Sequence, residues 1–426
     1  DFLDGRKGAH MNISGVSGIA TKTTYSTFLL HSLLHCGHLT DAKNTHAIIF
    51  NVKGEDLLFL DKASNAIELE DEALYAQMGL PAEPFDSVQF YVPPTENARG
   101  PIVPKVGSRK ADEVTAYFWT VRDFCRQRLL RYLFTEGGEE ASLLSTLIYQ
   151  VERKLLEAAE DADKDGPGPG VLVSLIKEDG EEESVPPTEI RNFPTLLRAM
   201  EALASSTNHS AGTVGAFMRR LYGAEEKIAH IIRDPEDSDA TQHAINWRNK
   251  QVTVVSLTGL YEVGKSFVVG SVLQQIQQEK EATGSAEPLC FIVVDELNRY
   301  APRDGWSPIG ERLLEIAERG RSSGTILIGA QQTASEVERR IVANPAFRIV
   351  GRLDAAEAER AEYGFLPPTL RQRAAILTSG RMIVSQPDIP TPIPILFPMP
   401  AWATRAEEQK LPPANLKLRR VRESEY

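Results

Sequence analysis

Two adjacent carboxylates, Asp295 and Glu296, follow directly after the apolar run Cys290–Val294. A run of β-favouring residues predicts a buried strand, and ionisable side chains at its end cost free energy unless they are paired or used. Carboxylates placed there can serve phosphate hydrolysis: Asp295 would hold Mg²⁺ through water, and Glu296 would polarise the attacking water. A strand that simply ends in acidic surface residues has the same local pattern. A phosphate-binding loop and a second polar strand end would favour the catalytic interpretation.

A candidate phosphate loop lies near the start of the chain, between the strand-like run Ala9–Ser14 and the helix-compatible segment Tyr25–Leu34. Backbone N–H groups of such a loop and the N-terminus of the following helix face a bound anion. Lys22 would reach the β- and γ-phosphates, and Thr23 would contact Mg²⁺. The loop is one residue longer than the usual pattern, and two residues stand where one glycine is expected. We assign nucleotide binding to Gly15, Ser17, Gly18, Ala20, Thr21, Lys22 and Thr23.

A second segment, Gly259–Ser266, matches the phosphate-loop pattern without any change in spacing. It also lies between a strand-like and a helix-like run. Its side chains argue against the role, because Tyr261 and Val263 are bulky where backbone must approach phosphate, and Glu262 would repel the nucleotide. We therefore place the phosphate site at the earlier loop and interpret this segment as a strand–helix turn. The alternative, a kinase-like protein that uses this second loop, stays open.

A third apolar run, Thr325–Gly329, ends in Ala330-Gln331-Gln332. A glutamine at the tip of a strand beside the acidic one can hydrogen-bond both the γ-phosphate and the attacking water. We assign this sensor role to Gln331; a polar cap at a strand end is the simpler alternative. The segment Ile309–Arg319 before this strand has helical spacing and ends in a glycine-containing turn.

Four segments of the chain form a recognisable series: Gly15–Thr23, Ala47–Asp56, the Asp295-Glu296 strand and Thr325–Gln332. In this order they resemble the HerA branch of the HerA/FtsK ATPases, a family of ring-forming DNA translocases. The resemblance covers about residues 1–60 and 250–400 and leaves the middle of the chain unaccounted for. The lengthened phosphate loop is its departure from the family pattern.

The resemblance implies an α/β protein with a RecA-like P-loop ATPase core of the additional-strand class, interrupted by a helical insertion. It also implies ATP and Mg²⁺ as cofactors, a homo-oligomeric ring, expected to be a hexamer, and movement along double-stranded DNA. The natural partner would be a NurA-like nuclease in DNA-end processing, or another effector in antiphage defence. Family members usually carry a small β-barrel before this core. Since the chain opens on Asp1, we expect an N-terminal portion to be missing.

A ring would bring an arginine of the neighbouring subunit to the γ-phosphate, where it neutralises charge that hydrolysis creates. Arg319 and Arg321, on the turn before the sensor strand, are the first candidates for this catalytic role. The alternates are Arg340, Arg348 and Arg352, and an ordinary surface ion pair explains any of the five. Basic positions near predicted loops that could contact DNA, or simply be solvated, are Arg219, Arg220, Arg248 and Lys250.

Composition bounds these hypotheses. The chain has 426 residues, 42% of them hydrophobic, and a formal net charge of −12. This charge argues against a surface coated for DNA binding but allows a ring with a basic channel, since phosphate attraction is screened within about 10 Å. No apolar run reaches the roughly 18 residues of a membrane helix, and the start is not a signal peptide. Three widely separated cysteines indicate a reducing cytoplasm.

We divide the chain into four parts: the first part of the ATPase core at residues 1–110, a mainly helical insertion at 111–250, the second part of the core at 251–400, and a C-terminal tail at 401–426. Helical spacing at 114–134 and 143–160 predicts packed helices in the insertion. A rival function is a nucleotide-gated scaffold ring that binds ATP weakly and assembles an effector. The missing third glycine favours this rival, and the acidic pair argues against it.

Overall fold

The computed structural model of the chain describes residues 10–16, 22–39, 42–134, 141–176, 182–186, 189–236 and 239–410. Four of the residues assigned to the phosphate loop lie outside them, namely Ser17, Gly18, Ala20 and Thr21. Residues 411–426 of the predicted tail also lie outside the described part of the chain.

Apolar, β-branched runs form most of the strands, as their burial requires. In chain order the strands are β1 (Met11–Ser14), β2 (His46–Asn51), β3 (Val88–Val92), β4 (Thr115–Ala116), β5 (Val173–Ile176), β6 (Glu182–Val185), β7 (Val252–Ser256), β8 (Cys290–Asp295), β9 (Thr325–Gln331), β10 (Phe347–Val350), β11 (Arg381–Gln386) and β12 (Ile389–Leu396).

Helices connect the strands and cover both faces of the sheet that they form. They are α1 (Lys22–His35), α2 (Leu69–Gln77), α3 (Val121–Arg126), α4 (Ala141–Lys164), α5 (Phe193–Ser205), α6 (Ala211–Ile228), α7 (Glu262–Thr283), α8 (Leu297–Tyr300), α9 (Pro308–Arg319), α10 (Arg339–Ala343), α11 (Ala355–Ala358) and α12 (Pro368–Ala374). Within the described ranges, no helix combines the length and the apolar character that a membrane crossing needs.

The described part of the chain contains a ten-stranded sheet in the order β12-β11-β10-β1-β9-β8-β2-β7-β3-β4. The strands from β10 to β4 run parallel, whereas β11 and β12 are antiparallel additions at one edge. The predicted α/β class is therefore confirmed. β9, the predicted sensor strand, lies between β1 and β8 and so separates the strand before the phosphate loop from the acidic strand.

Parallel strands place all their carboxyl ends at one edge of the sheet, which is where open α/β sheets bind ligands. The register brings Ser14 of β1 opposite Gln331 of β9, and Asp295 of β8 opposite Ala330. The three strand ends that the sequence singled out therefore meet at the same edge.

Alternation of side chains along the buried strands produces a hydrophobic cluster on each face of the sheet. In β2, Ile48 and Phe50 belong to one cluster and Ala47 and Ile49 to the other. The cluster that includes Ile48 contains the apolar side chains of α7, α9 and the inserted helices α4–α6. The opposite cluster contains those of α1, together with Trp402. Residues 401–403 of the predicted tail are thus packed against the core.

One sequence-based prediction in the insertion is wrong. The spacing at 114–134 predicts a helix, but the structure has β4, the short helix α3 and a 3₁₀ turn at Leu130–Leu133 in that interval. Pairing of β4 with β3 overrides the helical spacing, and Arg128 breaks the segment with a left-handed backbone at φ 58°. The helix predicted at 143–160 is confirmed as α4.

Candidate active site

Lys22 is the first residue of α1 and lies at the carboxyl edge of the sheet, directly beyond β1. Its side chain is buried, and its Nζ donates a hydrogen bond to the carbonyl oxygen of Gly15 at 2.6 Å. Burial lowers the pKa of Lys22 to about 8, although the charge of Asp295 opposes this shift. An ammonium group that has lost this much hydration is well placed to gain from a phosphate ligand.

Asp295 is the centre of a polar cluster at the end of β8. Its Oδ2 accepts hydrogen bonds from Thr23 Oγ1 at 3.0 Å and from Lys53 Nζ at 2.7 Å. Its Oδ1 accepts from the backbone N–H of Glu296 at 2.9 Å. A carboxylate and a hydroxyl oxygen at this separation are the kind of ligands that Mg²⁺ takes, and the Lys53 ammonium already places a positive charge there. The residues present therefore fit a bound Mg²⁺.

Glu296 adopts a left-handed backbone conformation with φ 54° and ψ 48° at the start of α8. Its Oε2 lies 2.6 Å from Nε of Arg299, which comes from the same short helix. The side chain of Glu296 is 19% exposed, so water can reach it. The predicted base thus lies next to Asp295, the predicted Mg²⁺ ligand, but in this structure its carboxylate is engaged by a guanidinium group.

Gln331 ends β9 and is fully buried. Its Nε2 donates hydrogen bonds to Asn12 Oδ1 at 2.8 Å and to Ser14 Oγ at 2.9 Å, and its backbone oxygen accepts from Gly15 N at 3.2 Å. The structure therefore places Gln331 where the sequence predicts it, at a strand tip beside the acidic strand. Its contacts join the sensor strand to the strand that precedes the phosphate loop.

The first arginine candidates lie far from this polar cluster in the same chain. Arg319 ends α9 and Arg321 lies on the 3₁₀ turn Gly320–Ser323, so both precede β9 at the opposite edge of the sheet. The seven residues of β9 span roughly 20 Å, and both arginines are exposed. Of the alternates, Arg352 follows β10, and its carbonyl oxygen accepts a hydrogen bond from Val16 N.

The second pattern match, Gly259–Ser266, follows β7. At the carboxyl edge, three strands (β9, β8 and β2) lie between β1 and β7. α7 begins at Glu262, so Lys265 lies inside the first turn of the helix, where its Nζ pairs with Glu262 at 2.7 Å. Gly259 has φ 79°, a conformation that favours glycine and that closes a tight strand–helix turn.

Sequence reasoning missed several contacts at this edge. Lys53 belongs to the segment Ala47–Asp56 and received no role of its own, yet its ammonium is the closest cationic group to Asp295 in the described residues. Arg299 and the pair Asn12 and Ser14 received no role. The available signal was their position, since polar residues at or just beyond the ends of buried parallel strands converge at one edge.

A cavity of about 400 Å³ opens beside Asp295. It lies between the start of α1, the end of β2 and the segment Met399–Glu408, with Lys53, Asp56 and Arg405 among its lining residues. Arg405 forms a two-pronged ion pair with Asp56 at this cavity, with N–O distances of 2.7 and 2.9 Å. The site is therefore a cleft with charged walls.

The sequence and the fold of the chain were compared with those of known proteins. No protein-family model and no curated protein matches the chain. The structure of VirB4 of Thermoanaerobacter pseudethanolicus superposes with a TM-score of 0.52 at 15% identity, covering 92% of this chain and 90% of that one. The plasmid coupling protein TrwB in complex with ADP and Mg²⁺ superposes with a TM-score of 0.55 at 12% identity, covering 94% and 88%.

The chain has the fold of a RecA-like P-loop ATPase. VirB4 and TrwB have this fold and belong to the FtsK/HerA-type superfamily, so the predicted fold class is confirmed. At 12–15% identity the likeness shows the fold alone. In this chain, β1 precedes the predicted phosphate loop, β8 ends in the acidic pair, and β9 lies between these two strands.

Proposed function

We propose that this chain hydrolyses ATP and couples hydrolysis to movement along double-stranded DNA, as a translocase of the HerA type with helicase-like activity. The observation that carries the proposal is the meeting of Lys22, Thr23 and Asp295 at one point of the sheet edge. Lys22 and Thr23 are neighbours in sequence, whereas Asp295 comes from a strand 272 residues after Thr23. The plasmid coupling protein TrwB, which has a similar fold, is known in complex with ADP and Mg²⁺, and this supports a nucleotide and Mg²⁺ as ligands.

Each residue has a distinct task in this proposal. Lys22 neutralises the β- and γ-phosphates, and the backbone of the loop that begins at Gly15 surrounds them. Thr23 and Asp295 would hold Mg²⁺, which when bound screens the negative charge of the phosphates. Glu296 accepts a proton from the attacking water, and Gln331 reports which nucleotide is bound through its contacts with β1.

The ring is the second part of the proposal. Arg319 and Arg321 lie at the sheet edge opposite to the nucleotide site of their own chain, and this supports a role at the site of a neighbouring subunit. Both arginines are exposed and directly precede the strand β9. A side chain that reaches into a neighbouring subunit needs such exposure and a fixed position. We propose a hexamer in which each subunit supplies this charge to the next.

DNA would pass through the ring, with contacts confined to the channel because the chain carries a net charge of −12. Arg219 and Arg220 on α6 are exposed, whereas Arg248 pairs with Glu279 at 3.0 Å and stacks on Trp247. The α6 pair is thus the better placed for phosphates. We propose a cytoplasmic setting and a NurA-like nuclease or another effector as partner, in DNA-end processing or antiphage defence.

The test is ATP hydrolysis by the complete protein, with Mg²⁺, in the presence and absence of double-stranded DNA. We expect DNA to stimulate ATP turnover. This stimulation should weaken steeply as salt is added, since contacts with DNA phosphates release counterions. Absence of turnover with or without DNA would overturn the translocase proposal.

One observation favours the scaffold as a second candidate function. The carboxylate of Glu296 is engaged by Arg299 at 2.6 Å, and its backbone is in a left-handed conformation. A subunit fixed in this state would bind nucleotide and turn it over little, and the ring would serve to assemble an effector. Nucleotide-dependent assembly without hydrolysis would identify this function.

A further inference from the structure

A chain of ion pairs joins the acidic strand end to the second pattern match. Lys265 Nζ lies 2.7 Å from Glu262 Oε1, and the same oxygen lies 3.4 Å from an Nη of Arg299. Nε of Arg299 lies 2.6 Å from Glu296 Oε2. One guanidinium therefore bridges the carboxylate next to the Mg²⁺ ligand and a carboxylate at the start of α7.

The backbone of Glu296 gives an independent reason to regard this arrangement as functional. Left-handed conformations are rare for residues other than glycine, asparagine and aspartate, and they persist where surrounding contacts hold them. At φ 54° and ψ 48°, Glu296 is held in such a conformation. The ion pair with Arg299 and this backbone conformation together fix the direction of the Glu296 side chain.

We propose that Arg299 is a positioning residue that holds Glu296 away from the attacking water in the resting subunit, and that Glu262 competes with Glu296 for the same guanidinium. This inference rests on the proposed function. DNA binding to the ring shifts the turn before α7 so that Glu262 takes the guanidinium, and Glu296 then becomes free to accept a proton.

The chemistry of the bridge suits an exchange. A guanidinium has five N–H donors in a planar fork, so it can pass from one carboxylate to another without losing its charge. The side chains of Arg299 and Glu262 are 48% and 67% exposed, so water compensates for each broken contact. The turn also touches the region near Asp295, because Thr258 Oγ1 donates to the carbonyl oxygen of Gly54, the residue after Lys53.

The first experiment measures steady-state ATP turnover of the assembled protein with and without double-stranded DNA. Arg299→Gln frees Glu296, so turnover without DNA should rise about two- to fivefold, the range that an exposed ion pair supports. Glu262→Gln leaves the guanidinium on Glu296, so DNA-stimulated turnover should fall by a similar factor. Nucleotide affinity should stay at the parental value in both variants.

Matched controls remove the same charges elsewhere. Arg303→Gln breaks the contact with Glu362, and Glu281→Gln lies on the far, exposed part of α7. Both should leave the ratio of stimulated to basal turnover unchanged. An Arg299→Gln variant with parental or reduced basal turnover would overturn the proposal, and so would an Arg303→Gln variant with the same gain.

The second experiment needs no turnover, so it separates this inference from the proposed function. We expect the Tm shift of the Arg299→Gln/Glu296→Gln double variant to be smaller than the sum of the shifts of the two single variants, because each single variant breaks the same ion pair. With a non-hydrolysable ATP analogue, Mg²⁺ and DNA bound, the shifts should add. Additive shifts in the free protein, or coupling that survives the ligands, would overturn the proposal. A parent without any turnover would instead overturn the proposed function.

Discussion

Two strand–loop–helix units of this chain carry a Gly-rich turn with a lysine, and they differ in what surrounds them. The unit of β7 and α7 matches the phosphate-loop pattern, whereas the unit of β1 and α1 has one residue too many. Yet Thr23 of the imperfect unit bonds to Asp295, while Lys265 of the matching unit pairs with its own helix turn. The comparison teaches that tertiary neighbours, and not the pattern alone, make a phosphate site.

The two units also pack on opposite faces of the sheet. Tyr25 and Phe28 of α1 belong to one hydrophobic cluster, and Phe267 and Val268 of α7 belong to the other. The contacts of the two lysines differ as well: Lys22 Nζ donates to the carbonyl oxygen of Gly15, whereas Lys265 Nζ pairs with the carboxylate of Glu262.

The largest expected difference between the units is in ATP turnover of lysine variants. Lys22→Ala should reduce turnover by at least about 10³-fold, because the charge that stabilises the transferred phosphoryl group is lost. Lys265→Ala should keep turnover within about twofold of the parent, since it breaks only an exposed ion pair. Circular dichroism confirms that each variant is folded. The reverse result would move the phosphate site to the second unit.

Arginine variants test whether the first unit is completed by a neighbour. Arg319→Ala combined with Arg321→Ala should bind ATP normally but hydrolyse it about 10³-fold more slowly, as removal of a charge-stabilising arginine does. Mixing this variant with Glu296→Gln subunits should restore some activity, because certain interfaces then contain a complete site. Parental turnover of the double variant would assign the role to Arg340, Arg348 or Arg352.

Variants of the acidic pair Asp295 and Glu296 should have effects of intermediate size. Glu296→Gln should retain ATP binding but slow hydrolysis by about 10²-fold or more, because the attacking water loses its proton acceptor. Asp295→Asn should instead weaken binding of nucleotide with Mg²⁺, measured by titration with a fluorescent ATP analogue. Parental hydrolysis in both variants would show that this strand end is only structural.

The sequence predicted the sheet better than the contacts at its edge. Apolar runs identified β2, β8 and β9, since burial on both faces leaves little choice of residue type. The ion pair of Lys53 with Asp295 joins residues 242 positions apart, and local periodicity carries no information on such contacts. The left-handed backbone of Glu296 was equally hidden, because a glutamate in that conformation is held by its surroundings and not by its own preference.

The smallest expected effect is on stability, and it concerns the two hydrophobic clusters into which α1 and α7 pack. His31 of α1 is fully buried and stacks between His35 and Trp402, with ring centroids at 4.1 and 4.7 Å. Burial lowers the pKa of His31 to about 3, whereas α7 contains no histidine. Because folding lowers the pKa of His31, its imidazole takes up a proton more readily in the unfolded chain than in the folded protein. The free energy of unfolding therefore decreases as pH falls below about 6.5.

Between pH 7 and pH 5 this group should lower the free energy of unfolding by about 2 kcal/mol. His31→Phe keeps an aromatic ring in the stack but cannot take up a proton, so its stability should depend less on pH over this range. His38 is exposed, so His38→Gln serves as the control, and its stability should follow the pH dependence of the parent.

Hydrogen exchange at decreasing pH should show amides of α1 losing protection before those of α7, because the acid-sensitive group lies on the α1 face. Parallel pH profiles for His31→Phe and the parent would show that the buried imidazole does not limit acid stability, and equal loss of protection in both helices would show that the two faces of the sheet unfold as one unit.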